Sequence, residues 1–259
     1  MRAKKSLGQN FLMHAKTAER IADAAMISEN DTIVEIGPGT GMLTRPLLAR
    51  AKKVIAIEAD AELVEELRNT FVEEILVGKL ELVTHDIRTF DLSLLPNKYK
   101  VVANIPYYIT GEIIRSFLEA APQPQSMTLL VQKEVAERIA RSKKESLLSL
   151  SVKVFGIPQY LFTIPRGAFI PSPKVDSAVL TIKDISRGVF KDSKEEALFF
   201  SLIHAGFAHK RKLLVRNLEA VFSLEKARAV LRSSTISEKA RAEDLSLTQW
   251  LTLVKNTAH

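Results

Sequence analysis

The feature that most constrains the fold of this chain is a glycine-rich loop between a strand-like run and a helical run. Residues 32–36 are rich in β-branched side chains, and the loop Gly37-Pro38-Gly39-Thr40-Gly41 follows them directly. Glycines at such a junction let the backbone approach a ligand closely beside the start of a helix. Their G-x-G-x-G spacing differs from the G-x-G-x-x-G of nicotinamide-binding loops. The loop therefore indicates a ligand without pyrophosphate, and the alternative is a tight turn that binds nothing.

Strands alternate with helices over more than the first half of the chain. The predicted strands are residues 32–36, 54–57, 80–83, 99–103 and 127–131, and the predicted helices are 15–27, 61–71, 109–121, 134–141 and one that contains Leu43, Leu47 and Leu48. Two further predicted strands, 159–164 and 177–182, flank a Pro-rich turn at 169–173. This alternation favours an α/β fold with a mostly parallel sheet covered on both faces.

The last quarter of the chain differs in both pattern and charge. Beyond a linker at 184–192 the sequence is helical, and two capping boxes, Ser193 to Glu196 and Ser246 to Gln249, begin helices. Residues 186–259 carry 13 Lys and Arg against 8 Asp and Glu, a net charge of +5, whereas the rest of the chain carries 24 against 22. We therefore predict an α/β domain at residues 1–185 and a small, basic, all-helical domain at residues 186–259.

Composition excludes several kinds of site and location. The chain has no cysteine, which excludes disulfides, thiolate zinc sites and cysteine-bound iron–sulfur clusters. Its five histidines are scattered, so no catalytic metal is predicted. The sequence lacks both the roughly 18-residue apolar run of a membrane span and the apolar stretch of a signal peptide. We therefore expect a cytoplasmic protein without membrane contact, and its net charge of +7 suits a polyanionic partner.

Acidic residues follow the second and third predicted strands. Glu58 comes about 20 residues after the first glycine of the loop, where an acidic side chain can accept hydrogen bonds from the ribose hydroxyls of a nucleoside. Asp86 follows the third strand, and its carboxylate can accept a hydrogen bond from an adenine amine. Each residue alone is more typical of a solvated strand end or a turn. Because ligands bind at the carboxyl ends of such strands, their coincidence with the glycine loop favours a nucleoside-binding site.

The sequence Asn104-Ile105-Pro106-Tyr107, at the end of the fourth predicted strand, indicates the chemistry. An exocyclic adenine amine is a poor nucleophile because its lone pair is delocalised into the ring. The Asn104 side-chain oxygen and the Ile105 carbonyl can accept its two hydrogens and turn the lone pair toward an activated methyl group. Pro106 fixes the backbone, and Tyr107 offers a ring on which an unpaired base can stack. The alternative is a strand that runs into a turn, with Tyr107 in the core.

Four motifs in this order resemble one family. They are residues 5–12 (KSLGQNFL), the glycine loop, residues 104–107, and residues 169–179 (FIPSPKVDSAV). Together they resemble the ribosomal RNA adenine dimethyltransferases, in particular the bacterial small-subunit (16S) enzymes that confer kasugamycin sensitivity. The likeness runs from about Lys4 to the C-terminal helices. The first and last motifs are highly specific, whereas many methyltransferases share the glycine loop.

The resemblance implies a fold, a reaction and a partner. The fold is a Rossmann-like, class I domain that uses S-adenosylmethionine as its cofactor. The reaction is dimethylation of two adjacent adenosines near the 3′ end of small-subunit ribosomal RNA, as a step in ribosome biogenesis. The partner is therefore an immature small ribosomal subunit, and we expect the protein to be a monomer.

The resemblance also implies the residues of the active site. The residues expected to contact S-adenosylmethionine are Asn10, Leu12, Gly37, Gly39, Glu58, Asp86 and Asn104. Catalysis is expected to rest on Asn104, Ile105, Pro106 and Tyr107, with the target adenine sandwiched between Tyr107 and Phe169. For Phe169, packing in the core is the alternative.

Basic residues are the predicted contacts to RNA. They are Lys210, Arg211, Lys212, Arg216, Arg141 and Lys143. The first four form a cluster that can bind phosphates without reading the base sequence. The other two lie in segment 141–149, which lacks the tyrosine and glycines usual in the family but stays basic. A solvated helix face is the alternative for such a cluster.

Other functions stay open on the sequence alone. Large-subunit adenine methylases, which give macrolide resistance, share the Asn-Ile-Pro-Tyr pattern, but their glycine loop usually reads more like G-S-G-K-G. A DNA adenine methylase usually has a Pro-Pro-Tyr motif and a separate sequence-reading domain, neither of which is obvious here. A non-catalytic RNA-binding factor of ribosome assembly could retain the fold, but the intact motif at 104–107 argues against lost catalysis.

Overall fold

The computed structural model describes residues 8–257, which form two compact units. The first unit comprises the described residues up to Glu137 together with Ile157–Ile185. The second comprises Arg138–Gly156 and the residues from Ser186 onward. The domain boundary predicted from the sequence puts segment 138–156 in the first domain, whereas the structure groups it with the second unit.

Aromatic packing explains why the segment Arg138–Gly156 belongs to the second unit. Phe155 stacks on Phe200 with ring centroids 5.8 Å apart, and it meets the edge of Phe190 at 6.0 Å. Its partners lie more than 30 residues further along the chain, so no local periodicity in the sequence signals the contact. The linker predicted at 184–192 takes part in the same packing, because Phe190 is buried against Phe199.

Within residues 8–257, a seven-stranded sheet forms the centre of the first unit. The strands in chain order are β1 (Phe11–Leu12), β2 (Thr32–Ile36), β3 (Lys53–Glu58), β4 (Leu80–Thr84), β5 (Lys100–Asn104), β6 (Ser126–Gln132), β7 (Ile157–Ile164), β8 (Phe169–Ile170) and β9 (Ser177–Lys183). The sheet has the order β4-β3-β2-β5-β6-β9-β7. The pairs from β4 to β6 are parallel, and β9 runs antiparallel to both of its neighbours. The mostly parallel sheet predicted from the sequence is confirmed.

Helices accompany this sheet in the alternation that the sequence predicts. They are α1 (Ala15–Ala24), α2 (Thr44–Arg50), α3 (Ala61–Thr70), α4 (Val72–Leu76), α5 (Thr110–Glu119) and α6 (Lys133–Ala140). Helix α1 buries the predicted face of Ala18, Ile21 and Ala22. It ends three residues earlier than predicted, and Met26 just beyond it has a φ of 49°. A side chain in that left-handed conformation cannot continue a right-handed helix.

The progression of strands across the sheet reverses between β2 and β5. Strand β2 pairs in parallel with both β3 and β5, and Ile36 lies opposite Ala103. The next residues, Gly37 and Asn104, therefore lie side by side at the carboxyl edge of the sheet. Ligands of open α/β sheets bind at such a reversal point. The fold thus brings together the glycine loop and the motif at 104–107, which lie more than 60 residues apart in the sequence.

A short antiparallel pair, β1 with β8, was not predicted from the sequence. Phe11 lies opposite Ile170, and Leu12 lies opposite Phe169. The pair joins the N-terminal motif to the Pro-rich motif, although each strand has only two residues. Residues Lys5, Ser6 and Leu7 of the N-terminal motif lie outside the described residues.

The second unit is helical, as the C-terminal pattern predicts. Its helices are α7 (Leu147–Lys153), α8 (Ser193–Phe207), α9 (Leu214–Asn217), α10 (Leu224–Ser233) and α11 (Leu247–Thr257). Trp250 of α11 is fully buried and stacks on Phe207 of α8. The packing is tight at this point, since a Cβ atom on Gly206 would lie 2.5 Å from the Trp250 ring.

One of the two predicted capping boxes is confirmed, and the other is displaced by one residue. At α11, Ser246 Oγ accepts from the Gln249 N–H and the Gln249 side chain accepts from the Ser246 N–H, as predicted. At α8 the cap is Asp192, whose Oδ1 accepts from the N–H groups of Lys194 and Glu195 at 2.9 Å each. The prediction of Ser193 as the cap was wrong, because the carboxylate one residue earlier accepts these two bonds.

Among residues 8–257, no helix combines the length and the apolar character needed to cross a membrane.

Candidate active site

A cleft at the carboxyl edge of the sheet contains the predicted cofactor contacts. Its volume is about 1000 Å³, open solvent included. Every residue predicted to bind the cofactor lines this cleft: Asn10, Leu12, Gly37, Gly39, Glu58, Asp86 and Asn104. Ile105, Pro106 and Tyr107 line it as well. The tertiary structure therefore assembles residues from three of the four sequence motifs, together with the strand-end acids Glu58 and Asp86, around one cleft.

The glycine loop forms a cradle at one wall of the cleft. Gly37 has a φ of 65°, a conformation that favours glycine, and its N–H donates to the Ile57 carbonyl at 2.9 Å. A Cβ atom built on Gly37 would find a single close neighbour, the Asn104 carbonyl oxygen at 3.9 Å. Any side chain there would consequently project into open space beside Asn104. The space is suited to a ligand that lies directly against the backbone.

Glu58 lies at the end of β3 with its carboxylate held by backbone donors. The side chain is 6% exposed, and its two oxygens accept from the N–H groups of Gly39 at 3.2 Å and Asp60 at 3.0 Å. Burial raises the pKa of this carboxyl, while the two backbone hydrogen bonds oppose the shift. Each oxygen keeps a further lone pair. The arrangement fits the two adjacent hydroxyls of a ribose.

Asp86 lines the cleft, and it has an ion-pair partner that the sequence analysis missed. Arg88 Nη2 donates to Asp86 Oδ2 at 2.6 Å, and Arg88 Nε donates to Asp86 Oδ1 at 3.1 Å. The Arg88 guanidinium lowers the pKa of the Asp86 carboxyl, so Asp86 is an anion at neutral pH. An anionic acceptor suits the predicted hydrogen bond from an adenine amine. The i to i+2 spacing of an acid and an arginine was the available sequence signal for the pair.

The side chain of Asn104 is oriented by the N-terminal motif. Asn104 Nδ2 donates to the backbone carbonyl of Asn10 at 3.0 Å. With the amide nitrogen bonded in this way, Oδ1 is left as an acceptor toward the cleft that Asn104 lines. Among the described residues, neither Asn104 Oδ1 nor the Ile105 carbonyl accepts a hydrogen bond. We refer to these two oxygens as the acceptor pair.

Tyr107 is held by a hydroxyl that the sequence analysis did not single out. Its phenol and the Ser177 Oγ share a hydrogen bond of 2.5 Å. Burial raises the pKa of Tyr107, and the bond with Ser177 opposes the shift, so the phenol is neutral at physiological pH. Ser177 opens β9 within the motif at residues 169–179. A polar residue at the start of a buried strand was the signal for this contact.

Phe169 lies apart from the cleft, which differs from its predicted role. Its side chain is 2% exposed and belongs to the hydrophobic core cluster that also contains Leu12 and Val179. The physical reason is the β1–β8 pair. Side chains alternate along a strand, so Phe169 faces the core opposite Leu12 while Ile170 is 59% exposed. The structure therefore has Phe169 packed in the core, which is the alternative that the sequence left open.

Glu35 is a second buried carboxyl at the cleft, and the sequence analysis did not select it. It is 1% exposed, and its Oε2 atom has no hydrogen-bond partner among the described residues. Burial raises the pKa of Glu35 to about 8, opposed by the Thr44 hydroxyl and reinforced by the negative charge of Glu58. A lone acid inside the apolar run of residues 32–36 was the sequence signal.

The N-terminal segment forms a wall of the cleft, and it contributes more residues than the two predicted. Gln9 Nε2 donates to Asp60 Oδ2 at 3.2 Å. The ring of Phe11 covers the loop, since a Cβ atom on Gly39 would lie 3.0 Å from it. Gln9 and Asp60 are about 50 residues apart in the chain, and the contact of Phe11 is with a glycine, which has no side chain. Neither contact therefore produces a periodic pattern in the sequence.

The predicted RNA-binding residues all lie in the second unit. Lys210, Arg211 and Lys212 are exposed in residues 208–212, the basic loop, which follows α8 and lines a shallow depression. Buried Asn217 holds the loop, because its Nδ2 donates to the carbonyls of Gly206 at 2.5 Å and His209 at 3.1 Å.

The remaining predicted RNA contacts are also at the surface. Arg216 is exposed and pairs with Glu219 at 2.8 Å. Arg141 and Lys143 are exposed, and their neighbour Lys144 pairs with Glu243. The described residues contain no group of three or more side chains suited to hold a metal ion.

Comparison with known proteins gives matches along the whole chain. The model of a family described as ribosomal RNA adenine dimethylase matches residues 1–259. A curated relative from Fusobacterium nucleatum, named Ribosomal RNA small subunit methyltransferase A, is 42% identical in an alignment of 257 residues that covers 97% of this chain and 96% of that protein. A relative of the same name from Dehalococcoides mccartyi is 39% identical over 96% of this chain and 87% of its own length.

Two solved structures share the fold over nearly all of the chain. The 23S rRNA methyltransferase ErmE is 27% identical with a TM-score of 0.78, covering 96% of this chain and 100% of that one. A dimethyladenosine transferase from Plasmodium falciparum is 28% identical with a TM-score of 0.79, covering 94% of this chain and 95% of that one. The fold class and the enzyme class predicted from the sequence are thereby confirmed. The chain belongs to the ribosomal RNA adenine dimethylase family.

Proposed function

We propose that this protein dimethylates the exocyclic amines of two adjacent adenosines near the 3′ end of small-subunit (16S) ribosomal RNA, with S-adenosylmethionine as the methyl donor. The observation that carries the proposal is the acceptor pair beside the glycine cradle. The bond from Asn104 Nδ2 to the Asn10 carbonyl leaves Oδ1 as an acceptor, and the Ile105 carbonyl provides the second. Two acceptors are what an amine with two hydrogens requires.

The residues of the cleft bind and orient the reactants. Glu58 would hold the ribose hydroxyls of the cofactor, and Asp86 would hold its adenine amine. The loop at Gly37 would lie against the amino-acid portion of the cofactor. S-adenosylmethionine supplies a methyl group activated by a sulfonium centre. The acceptor pair would accept hydrogen bonds from the two amine hydrogens and hold them out of the plane of the base. The nitrogen lone pair would then be directed into the cleft. Orientation of this kind can contribute roughly 7–11 kcal/mol in favourable cases.

Tyr107 is the proposed stacking surface for the target base. Its hydroxyl is anchored on Ser177, so the ring has a set position beside the acceptor pair. A sandwich that includes Phe169 requires that ring to leave the core, where it is 2% exposed. With Phe169 in the core, the proposed stacking partner of the base is Tyr107, which lines the cleft.

The proposed RNA contacts are the exposed basic residues of the second unit. Phosphate contacts from the basic loop, Arg216, Arg141 and Lys143 would position the RNA without reading its sequence. The proposed substrate is the immature small subunit in the cytoplasm, and the proposed form of the enzyme is a monomer. The positive charge concentrated in residues 186–259 supports a polyanionic partner for this unit.

The large-subunit alternative is less well supported. ErmE acts on 23S rRNA by its name and shares the fold at 27% identity, whereas the curated relatives named for the small subunit reach 42% and 39%. The glycine loop GPGTG also differs from the G-S-G-K-G expected of the large-subunit enzymes. We therefore favour the small subunit as the substrate.

Methyl transfer from radiolabelled S-adenosylmethionine to immature small subunits tests the proposal. The unaltered protein is expected to label two adjacent adenosines near the 3′ end, located by mass mapping. At saturating cofactor, Asn104→Ala is expected to lower the rate at least about a hundredfold, since misplacement of a reacting group by 1 Å can cost that much. Asn97→Ala, at an exposed asparagine away from the cleft, is the matched control. Labelling of large-subunit RNA, or binding without transfer, would contradict the proposal.

A further inference from the structure

Tyr108 lines the cleft beside Tyr107, yet the mechanism above gives it no role. It is 59% exposed, which is unusual for an aromatic side chain at the edge of a binding cleft. Its hydroxyl makes no hydrogen bond to another described residue, so no polar anchor in that part of the chain explains its position. Tyr107, by comparison, is half-buried and bonded to Ser177.

The ring of Tyr108 is nevertheless held in place by close packing. A Cβ atom on Gly8 would lie 2.9 Å from Tyr108 Cε1 and 3.6 Å from Pro106 Cβ. The bare backbone of Gly8 therefore lies directly against one edge of the ring, where any larger residue would collide with it. An exposed ring that is packed along one edge loses little conformational entropy when a ligand covers its face.

The two consecutive tyrosines point in different directions. Residues Tyr107–Ile109 form a single 3₁₀ turn, in which successive side chains are about 120° apart because there are three residues per turn. One ring is directed inward to Ser177, and the other outward to solvent. The two rings therefore present separate surfaces, each of which can hold a different base.

We propose that Tyr108 is the stacking surface for the nucleotide next to the target adenosine, and so a specificity-determining residue at the rim of the cleft. The inference rests on the proposed function, because it assumes an RNA target base at Tyr107. Aromatic rings stack on unpaired bases of any sequence. A neighbour held at Tyr108 keeps the strand splayed open while the target base enters the cleft, and it sets which of two adjacent adenosines occupies the acceptor pair.

Steady-state methylation of immature small subunits by full-length variants tests this inference. Tyr108→Ala is expected to raise the KM for the subunit about tenfold, since loss of one base stack weakens binding by roughly 5- to 150-fold. It is also expected to increase the fraction of RNA methylated at a single adenosine, while the Kd for S-adenosylmethionine stays unchanged. Tyr108→Phe should behave like the unaltered protein. Leu94→Ala, at an exposed apolar residue outside the cleft, is the control.

A second variant and a second readout separate stacking from folding. Tyr108→Leu keeps apolar bulk but has no aromatic face, so it should match Tyr108→Ala. A short RNA with 2-aminopurine next to the target adenosine reports stacking directly, as quenching by the unaltered protein that both variants abolish. An unchanged KM and product distribution in the Ala and Leu variants would overturn the inference. Failure of the unaltered protein to transfer any methyl group would instead refute the proposed function.

Discussion

At the scale of single residues, Asn104 shows how a distant contact defines a chemical role. An asparagine amide can present either a donor or an acceptor to a ligand. The Asn10 carbonyl, 94 positions earlier in the chain, binds Nδ2 and so makes Oδ1 the acceptor. The motif at 104–107 predicts which residue acts, but its own sequence carries no information on the orientation of the amide.

Glu35 allows a prediction of stability against pH. Its pKa is about 8 in the folded protein and 4.5 ordinarily, so the folded state binds more protons than the unfolded state between these values. The free energy of unfolding should therefore fall as the pH rises from about 4.5 to about 8, by about 1.4 kcal/mol per pH unit. Glu35→Gln removes this contribution and is expected to flatten the dependence.

Urea unfolding at pH 5, 6, 7 and 8 measures the effect of Glu35. The exposed residue Glu29 supplies the control, since Glu29→Gln should leave the slope of the unaltered protein in place. Parallel curves for Glu35→Gln and the unaltered protein would show that Glu35 is ionised in the folded state.

At the scale of secondary-structure elements, mutation can test which residue is the N-cap of α8. Asp192 accepts two backbone N–H bonds there, whereas the sequence analysis selects Ser193. Asp192→Ala should lower the free energy of unfolding, because removal of the N-cap side chain leaves two backbone N–H groups without their acceptor. Ser193→Ala should change it much less. Chemical denaturation of both variants decides the matter, and the reverse ranking would restore Ser193 as the cap.

The elements that sequence reasoning missed are short or depend on distant partners. Strands β1 and β8 have two residues each, which is too few for a period-2 pattern to be visible. Helix α7 follows a Ser146 cap whose N3 partner is Ser149 rather than the Glu or Gln of the usual capping box. The long helices were predicted because their apolar residues repeat at the helical spacing, and the central strands because they are short, continuously buried apolar runs.

At the scale of the whole molecule, the proposed roles of the two units are cofactor binding by the first and RNA binding by the second. The salt dependence of RNA binding tests them. Replacement of Lys210, Arg211 and Lys212 by alanine should weaken RNA binding and reduce the slope of log K against log salt by about 2, since each phosphate contact to a single strand contributes about 0.7. Cofactor affinity should stay unchanged, because the predicted cofactor contacts belong to the first unit. Filter binding at several salt concentrations provides the measurement.

The control for that experiment removes the same charge elsewhere in the second unit. Lys194, Lys226 and Lys239 are exposed lysines outside the basic loop. If their triple alanine variant weakens binding as strongly as the loop variant, a general effect of net charge accounts for the result and the basic loop has no special role.

The sequence by itself determined the parallel α/β fold, the glycine loop, the strand-end acids and the acceptor motif. These features could be predicted because each depends on a local pattern: a short apolar run, the period of a helix, or the residue type at a strand end. Tertiary structure alone decided that Phe169 faces the core, that Asn104 presents its oxygen, and that Arg138–Gly156 joins the second unit. Each of these outcomes arises from packing or hydrogen bonding between segments far apart in the chain, which local patterns do not encode.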